Sequence, residues 1–496
     1  MGKFFGGRPQ VSEILQDDTL DPLSAALEPP EGETIEEAQA RRRLEEEAKK
    51  KSMAIDEELN RQRLELKRST DKYVRIMLLG QSESGKSTTL KNFQLMSSAK
   101  YFSRERASWR AVIQFNVVRS VRIMLDAIND AYNGKLMRPP TPSSEDNPGQ
   151  NPVAIGDLDQ ELLKIRMRLL PLKQIEAILL RKLTPAGSVE FEATQFATPD
   201  RERKKRLVEV AVPSTTPWKS VFGKLIASAR ASMDSAADID FNDPNDPGFV
   251  LNACADDILR LWEHPTVRKL LEYQRTPLES MGGFFLDCIH RVTSLRYVPT
   301  DDDILRARLK TLGVSQHDFI LNSGGNLVSN KWRVYDVGGA RSLRAAWAPY
   351  FDDLNAIIFL APLSAFDEVL EEDIRVNKLE DSILLWTHIV GLNILARTEL
   401  ILFLNKVDLF KAKIESGIQL GDYVLNYSGK GPNDVESTKN YLRKKFIGVL
   451  RQSPVQRTGS FSCHFTSMTQ SKSAEQILCK VRDSVLRGML EASSLL

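Results

Sequence analysis

The stretch "IMLLGQSESGKSTTL", residues 76–90, decides the fold class. It begins as an apolar strand, breaks at Gly80 and resumes as a polar helix start at Lys86. The pattern G-x-x-x-x-G-K-S is complete in Gly80, Gly85, Lys86 and Ser87. A glycine-rich loop between strand and helix points its backbone N–H groups inward at the helix head, where the helix dipole adds positive potential. Such a loop cradles phosphate. Lys86 is placed to bridge a β- and a γ-phosphate, and the Ser87 hydroxyl to ligate Mg2+. Glu83, Ser84 and Thr88 lie in the same loop and are counted with it as nucleotide-binding candidates.

The rest of the chain sets the frame. Its 496 residues suit two or three domains, and 42% hydrophobic with 27% charged residues is a globular composition. A net charge of +2 gives no electrostatic footprint for nucleic acid. The four cysteines, Cys254, Cys288, Cys463 and Cys479, lack metal spacing and read as reduced thiols of a cytosolic protein. No apolar run approaches the roughly 18 residues of a membrane span. The start "MGKFFGG" has no signal-peptide core, and Gly6 stands where the N-myristoylation motif wants Ser or Thr, so lipidation of Gly2 stays open.

Residues 1–33 are rich in Pro, Gly and acids and read as disordered. Residues 34–72 lack Gly and Pro and favour a long charged helix. Beyond the loop, β-type runs recur: "DFILNS" at 318, "KWRVYDV" at 331, "AIIFLAPL" at 356, "ELILFLN" at 399 and "CHFTSM" at 463. Helical segments separate most of them, which predicts a mainly parallel sheet with helices on both faces. The alternation stops between about 95 and 305. There "RASWRAVIQFNVVRSVRIMLDAI" and "FVLNACADDILRLWEHPTVRKLLEYQ" carry helical periodicity. An all-α domain over 96–304 is therefore expected inside an α/β domain made of 73–95 and 305–496. Loops are expected near 138–153 and 195–217, the second holding the basic run Arg201–Arg206, which reads as solvated charge.

Three further motifs follow in order. "LFLNKVDLF" ends an apolar strand with Asn405, Lys406 and Asp408. The Asp408 carboxylate can accept from both N1–H and the 2-amino group of guanine, a pair adenine does not offer. Lys406 can lay its stem along the purine, and Asn405 can tie this loop to the phosphate loop. "VYDVGGARS" places Asp336 at a strand end, where it can hold Mg2+ through water, and Gly339 where its N–H can meet a γ-phosphate. "DILRARLKTLGV" supplies Leu305, Arg306, Arg308 and Thr311. The Arg308 guanidinium can neutralise charge on a transferred phosphoryl, and the Thr311 hydroxyl can complete the Mg2+ shell.

With these four motifs in this order, the chain resembles the α subunit of heterotrimeric G proteins. "GQSESGKST" resembles that family's phosphate loop, "LRARLKTLG" its first switch, "DVGGARSLRAAW" its second, "FLNKVDLF" its guanine motif and "HFTSMT" its last base-contacting loop, with Met468 against the base. "KKKSMAIDEEL" resembles the N-terminal helix that docks the βγ dimer. The resemblance runs from about residue 45 to the end, apart from inserted sequence near 138–215. It implies a P-loop Ras-like GTPase domain with an inserted helical domain, GTP/GDP as ligand and Mg2+ as cofactor. It also implies a βγ dimer, a seven-helix receptor and an effector as partners, at the cytoplasmic face of the plasma membrane.

The chain departs from that pattern at chemically telling places. Ala340 stands where the family has the Gln that orients the attacking water, and Ser82 where it has Gly beside the γ-phosphate. Both changes touch hydrolysis and spare binding, so a slow GTPase is expected. Met468 replaces a small residue at the base, and Leu343, Ala345 and Ala346 replace charged residues of the second switch. The C-terminal helix, about 473–490, is expected to face the core with Ile477, Val481 and Val485, and its tail "EASSLL" ends apolar without a cysteine. Two rival readings remain: a GTP-loaded scaffold that barely hydrolyses, and an ATP-using P-loop enzyme, against which Asp408 argues.

Overall fold

The computed structural model describes residues 73–134, 160–183, 211–213, 239–321 and 331–492, apart from positions 104, 242, 244, 275, 371, 372, 374, 425 and 428–430. Of residues 1–72 it describes Glu46, Lys50, Met53 and Glu57, all helical and exposed. The rest of the expected 34–72 helix, the 1–33 segment, the loop near 138–153, the run Arg201–Arg206 and the tail after residue 492 lie outside the described residues.

Eight strands are described: β1 Val74–Leu79, β2 Ala211–Pro213, β3 Lys310–Leu312, β4 Val314–Ile320, β5 Lys331–Val337, β6 Ala356–Pro362, β7 Glu399–Asn405 and β8 Phe461–Phe465. Six of them form one sheet in the order β4-β5-β1-β6-β7-β8. All its pairs are parallel except β4 against β5. The run expected at 463 begins two residues earlier, and Thr466 to Met468 have already left the sheet. Strands β6 and β7 are buried along their whole length, as apolar runs covered on both faces must be. Alternation along β1 then sends Ile76 and Leu78 into one core layer and Met77 and Leu79 into the other.

Two helices cover the first face: α1 Lys86–Ser97, with Leu90 and Phe93, and α12 Ser471–Ala492, with Leu478, Val481 and Val485. Ile477, expected in that stripe, is only partly buried. The other face takes α9 Lys378–Val390, α10 Val407–Glu415 and α11 Val435–Gln452 through Trp386, Phe410 and Phe446.

Between α1 and β3, the regular elements of the described residues are helices apart from β2. The 27-residue α2, Arg106–Tyr132, is about 40 Å long and buries residues on every side, as a helix wrapped by others must. Around it lie α3 Gln160–Arg168, α4 Leu172–Leu183, α5 Pro247–Ala253, α6 Ala255–Glu263 and α7 Pro265–Tyr273. The continuous helical pattern expected over 249–274 is thus three helices. Pro265 cannot continue α6, and it starts α7 at the first helical position, where His264 accepts from the Thr266 N–H. The short α8, Asp301–Arg306, closed by a Thr300–Asp303 capping box, returns the chain toward the sheet.

Candidate functional site

A cavity of about 760 Å³ opens at the carboxyl ends of the parallel strands, where open α/β sheets receive ligands. One wall is the loop between β1 and α1: Ser82, Glu83, Gly85, Lys86, Ser87 and Thr88. Further wall comes from the end of α8 and the segment beyond it, Leu305, Arg306, Arg308 and Thr311. Asp336, Gly339 and Ala340 follow β5, while Asn405, Lys406 and Asp408 follow β7. Met468 closes the set from beyond β8. Of the residues singled out in the sequence, Gly80 and Ser84 do not line the cavity. They form the underside of the loop, where a Cβ on Gly80 would lie 2.4 Å from the Leu360 carbonyl oxygen.

The loop geometry follows from its glycines. Gly85 has φ +103°, and a Cβ there would meet the Asn405 amide nitrogen at 2.3 Å. That space lets Asn405 Nδ2 donate to the Ser84 carbonyl at 2.8 Å, while Asn405 Oδ1 accepts from Thr466 Oγ1 at 2.9 Å. The loops after β1, β7 and β8 are thereby one unit, the tie expected of Asn405. Beyond it, Asn92 Nδ2 donates to the Met468 carbonyl at 2.9 Å. Lys406 takes a left-handed φ of +59°, uncommon for a side-chain-bearing residue.

Three oxygen groups converge at the opposite end. Ser87 Oγ donates to Asp336 Oδ2 at 2.7 Å, Thr311 Oγ1 to the same oxygen at 3.2 Å, and the two hydroxyls are 3.2 Å apart. The other Asp336 oxygen, Oδ1, is buried without a hydrogen-bond partner. Two hydroxyls and a carboxylate with an unspent oxygen are hard donors of the kind Mg2+ takes, so these residues fit that ion. Lys86 Nζ donates to the Gly80 and Gln81 carbonyls at 2.9 and 2.7 Å, and burial pulls its pKa down to about 8.

Arg308 forms an ion pair with Glu83, and Lys378 at the start of α9 reaches the other Glu83 oxygen at 3.1 Å. Lys378 also donates to Glu368 Oε2 at 3.0 Å, while Lys413 and Ser280 donate to Glu368 Oε1 at 2.9 and 2.7 Å. Burial alone would push the Glu368 carboxyl up, but Lys378, Lys413 and Lys406 outweigh it and hold it well below the usual carboxylate range. Ser280 belongs to the helical part, and its carbonyl accepts from Lys406 Nζ at 3.0 Å. Burial brings Lys406 down to about 8. The helical part is thus bolted at Ser280 to both a buried carboxylate and the base-side loop. Arg306 turns to the Phe284 carbonyl and Asp287, within its own surroundings.

The sequence reading missed Glu368, Lys378, Lys413 and Ser280, and also a clamp behind the second switch. Arg344 Nη2 lies 2.5 Å and Arg341 Nε 3.2 Å from the buried Asp381 carboxylate on α9. The apolar replacements nearby therefore leave intact the two arginines that fasten this segment. An arginine three residues after Arg341 was the available signal. Gly339 sits so close to the phosphate loop that a Cβ would lie 2.4 Å from Gln81 C and Ser82 N.

A family model described as "G-protein alpha subunit" matches residues 49–485. The alpha-4 subunit of Mycosarcoma maydis is 30% identical, with 96% of each chain covered. A guanine nucleotide-binding protein subunit alpha of Candida albicans is 28% identical over 88% of this chain and 94% of its own. The mouse subunit alpha-15 is 26% identical over 91% of this chain and 96% of its own.

Proposed function

The chain belongs to the G-protein alpha subunit family, and from that premise we propose that it is a guanine-nucleotide switch that binds GTP and GDP with Mg2+ and hydrolyses GTP slowly. The observation that carries the reading is the meeting of four segments, far apart in sequence, on one cavity: the 80–88 loop, Thr311, Asp336 and the Asn405–Asp408 turn. In this reading the loop N–H groups and Lys86 bind the phosphates, and Asp408 selects guanine over adenine. Lys406 and Met468 flank the base, and Leu305, Arg306 and Thr88 close over the ribose side. Ser87 and Thr311 would hold Mg2+ directly and Asp336 through water. When bound there, the ion would supply charge neutralisation at the phosphates. The domains divide as 73–95 with 305–496, and 96–304.

Two residues of the wall support the reading of slow turnover. Ala340 offers a methyl group where a water must be aligned, and Ser82 brings a side chain beside the terminal phosphate. Arg308 remains to neutralise developing charge, but it must exchange its Glu83 carboxylate for a phosphoryl oxygen. A second reading, a GTP-loaded scaffold with negligible hydrolysis, rests on the same three residues. As the family's members do in general, the protein would pair with a βγ dimer, a receptor and an effector at the inner membrane face. Among the described residues no helix is long and apolar enough to cross a membrane.

The test is to load purified protein with GDP or GTP and follow the bound nucleotide over time, beside Asp408→Ala. Tight guanine-nucleotide retention that ATP does not compete for, weakened by Asp408→Ala, is expected. Protein that holds neither nucleotide refutes the reading.

A further inference from the structure

A short strand within the sequence read as inserted pairs with the first switch. Strand β2 pairs in parallel with β3, with Ala211 opposite Lys310, Val212 opposite Thr311 and Pro213 opposite Leu312. These two strands form a sheet of their own, separate from the six-stranded one. In a parallel pair only every second residue of a strand turns its N–H and C=O toward that partner. Pro213 has no N–H to give, so the bonded position falls to Val212. The alternation then sets its N–H toward the Lys310 carbonyl and its carbonyl toward the Leu312 N–H.

The neighbours of β3 show why this pairing matters. Before it, Arg308 is fixed to α2, its N–H donating to Asn116 Oδ1 at 2.8 Å and its carbonyl accepting from Asn116 Nδ2 at 3.1 Å. After it, the Gly338 N–H donates to the Gly313 carbonyl at 2.8 Å and joins the second switch. Between these two anchors, the strand that carries Thr311 has β2 as its ladder partner among the described residues. Thr311 is also the group whose hydroxyl meets Ser87 and Asp336.

We propose that Ala211–Pro213 is a positioning strand: by pairing with β3 it holds Thr311 against Ser87 and Asp336, so that the insert in the helical part tunes Mg2+ binding and hence retention of the triphosphate. This rests on the reading of Ser87, Thr311 and Asp336 as the Mg2+ residues. The insert thereby acts in cis on the first switch, as an added strand acts on an open sheet edge.

The experiment compares full-length wild type, Val212→Pro and Val212→Thr. Val212→Thr keeps the N–H and serves as the conservative control. Two measurements are made: hydrogen exchange at the Leu312 amide, and the Mg2+ concentration that half-maximally slows dissociation of a non-hydrolysable GTP analogue. For Val212→Pro, faster Leu312 exchange and a midpoint raised about 5- to 30-fold are expected, the range for one or two ordinary backbone hydrogen bonds. GDP retention in EDTA should not change, which also reports that the variant folds. Val212→Thr should match wild type. A second variant, with residues 208–216 replaced by a Gly-Ser tract of equal length, should behave as Val212→Pro does. Unchanged exchange in both disrupting variants overturns the proposal, and so does faster exchange with an unmoved midpoint. If wild type holds no guanine nucleotide, it is the function reading that falls, and Leu312 exchange still decides the pairing.

Discussion

Ser280 joins the helical part to both Glu368 and Lys406, and removal of its hydroxyl has a size that can be worked out. Its hydroxyl donates to Glu368 at 2.7 Å, its carbonyl accepts from Lys406 at 3.0 Å, and Ser280 and Glu368 are each 4% exposed. Ser280→Ala deletes the first bond and keeps the second. A hydrogen bond to a charged group contributes about 1.5–3 kcal/mol. Here Glu368 keeps Lys378 and Lys413, so its carboxylate is not left unpaired and the lower half of that range applies. If a nucleotide leaves only when Ser280 parts from Glu368, losing about 1.5–2 kcal/mol from the closed state speeds release roughly 10- to 30-fold. Release of a fluorescent GDP analogue, chased with excess GDP, measures this directly. Ser280→Thr keeps the hydroxyl and should release at the wild-type rate. Ser280→Ala with an unchanged melting temperature and a release rate within twofold of wild type would refute the bolt.

Ala340→Gln should raise single-turnover GTP hydrolysis on the order of 10- to 100-fold, because a side-chain amide can align water where a methyl group cannot; equal rates in the two proteins would defeat the account of slow turnover. Asn405→Ala strands two buried groups, the Ser84 carbonyl and the Thr466 hydroxyl, and should lower unfolding stability by about 2–4 kcal/mol in urea titrations. Lys86 gives a pH signature. Burial holds it at about 8, and a phosphate against Nζ raises that value, so nucleotide affinity is fully present below about pH 8 and declines as pH climbs above it. Calorimetry in buffers of different ionisation enthalpy should find proton uptake on GDP binding at pH 8–9, and none in Lys86→Met.

What the sequence disclosed was local. The 80–88 loop, the Asp336 turn and the Asn405–Asp408 turn are each written in consecutive residues whose spacing carries the chemistry, and each ends a run with an unambiguous strand pattern. The parallel sheet followed from the same runs. The break at His264-Pro265 was also legible, since proline rarely sits inside a helix, yet the apolar periodicity on both sides concealed it. The start of β8 was missed because Phe461 and Ser462 carry no alternation that separates them from a loop. The ionic bolt was beyond local reading. Glu368 meets Ser280 across 88 positions and Lys378 meets Glu83 across 295, and no spacing rule joins residues so far apart. Nor could two- or three-residue pairings such as β2 with β3 be read, because a strand that short has no period.

These distant contacts change how the site should be understood. Glu83 is shared by Arg308 and Lys378, Lys378 is shared by Glu83 and Glu368, and Glu368 is shared by Lys378, Lys413 and Ser280. The groups alternate in charge, so each carboxylate's hold on one cation weakens its demand on the next. Separation at Ser280 would leave Glu368 to its two lysines, draw Lys378 toward it and leave Glu83 more wholly to Arg308. With Ser280 in place, Glu368 is satisfied in part by its hydroxyl and Lys378 also engages Glu83, which would lower the cost of releasing Arg308 toward a phosphate. Arg308 shares this wall with Lys86, and either cation could stabilise charge on a transferred phosphoryl. Under the proposed function, the chain of ion pairs that joins Ser280 to Glu83 would also govern when that arginine is available. On that reading retention and turnover are expected to be coupled through Glu83, and a Glu83→Gln variant should change the GDP release rate and the single-turnover hydrolysis rate together.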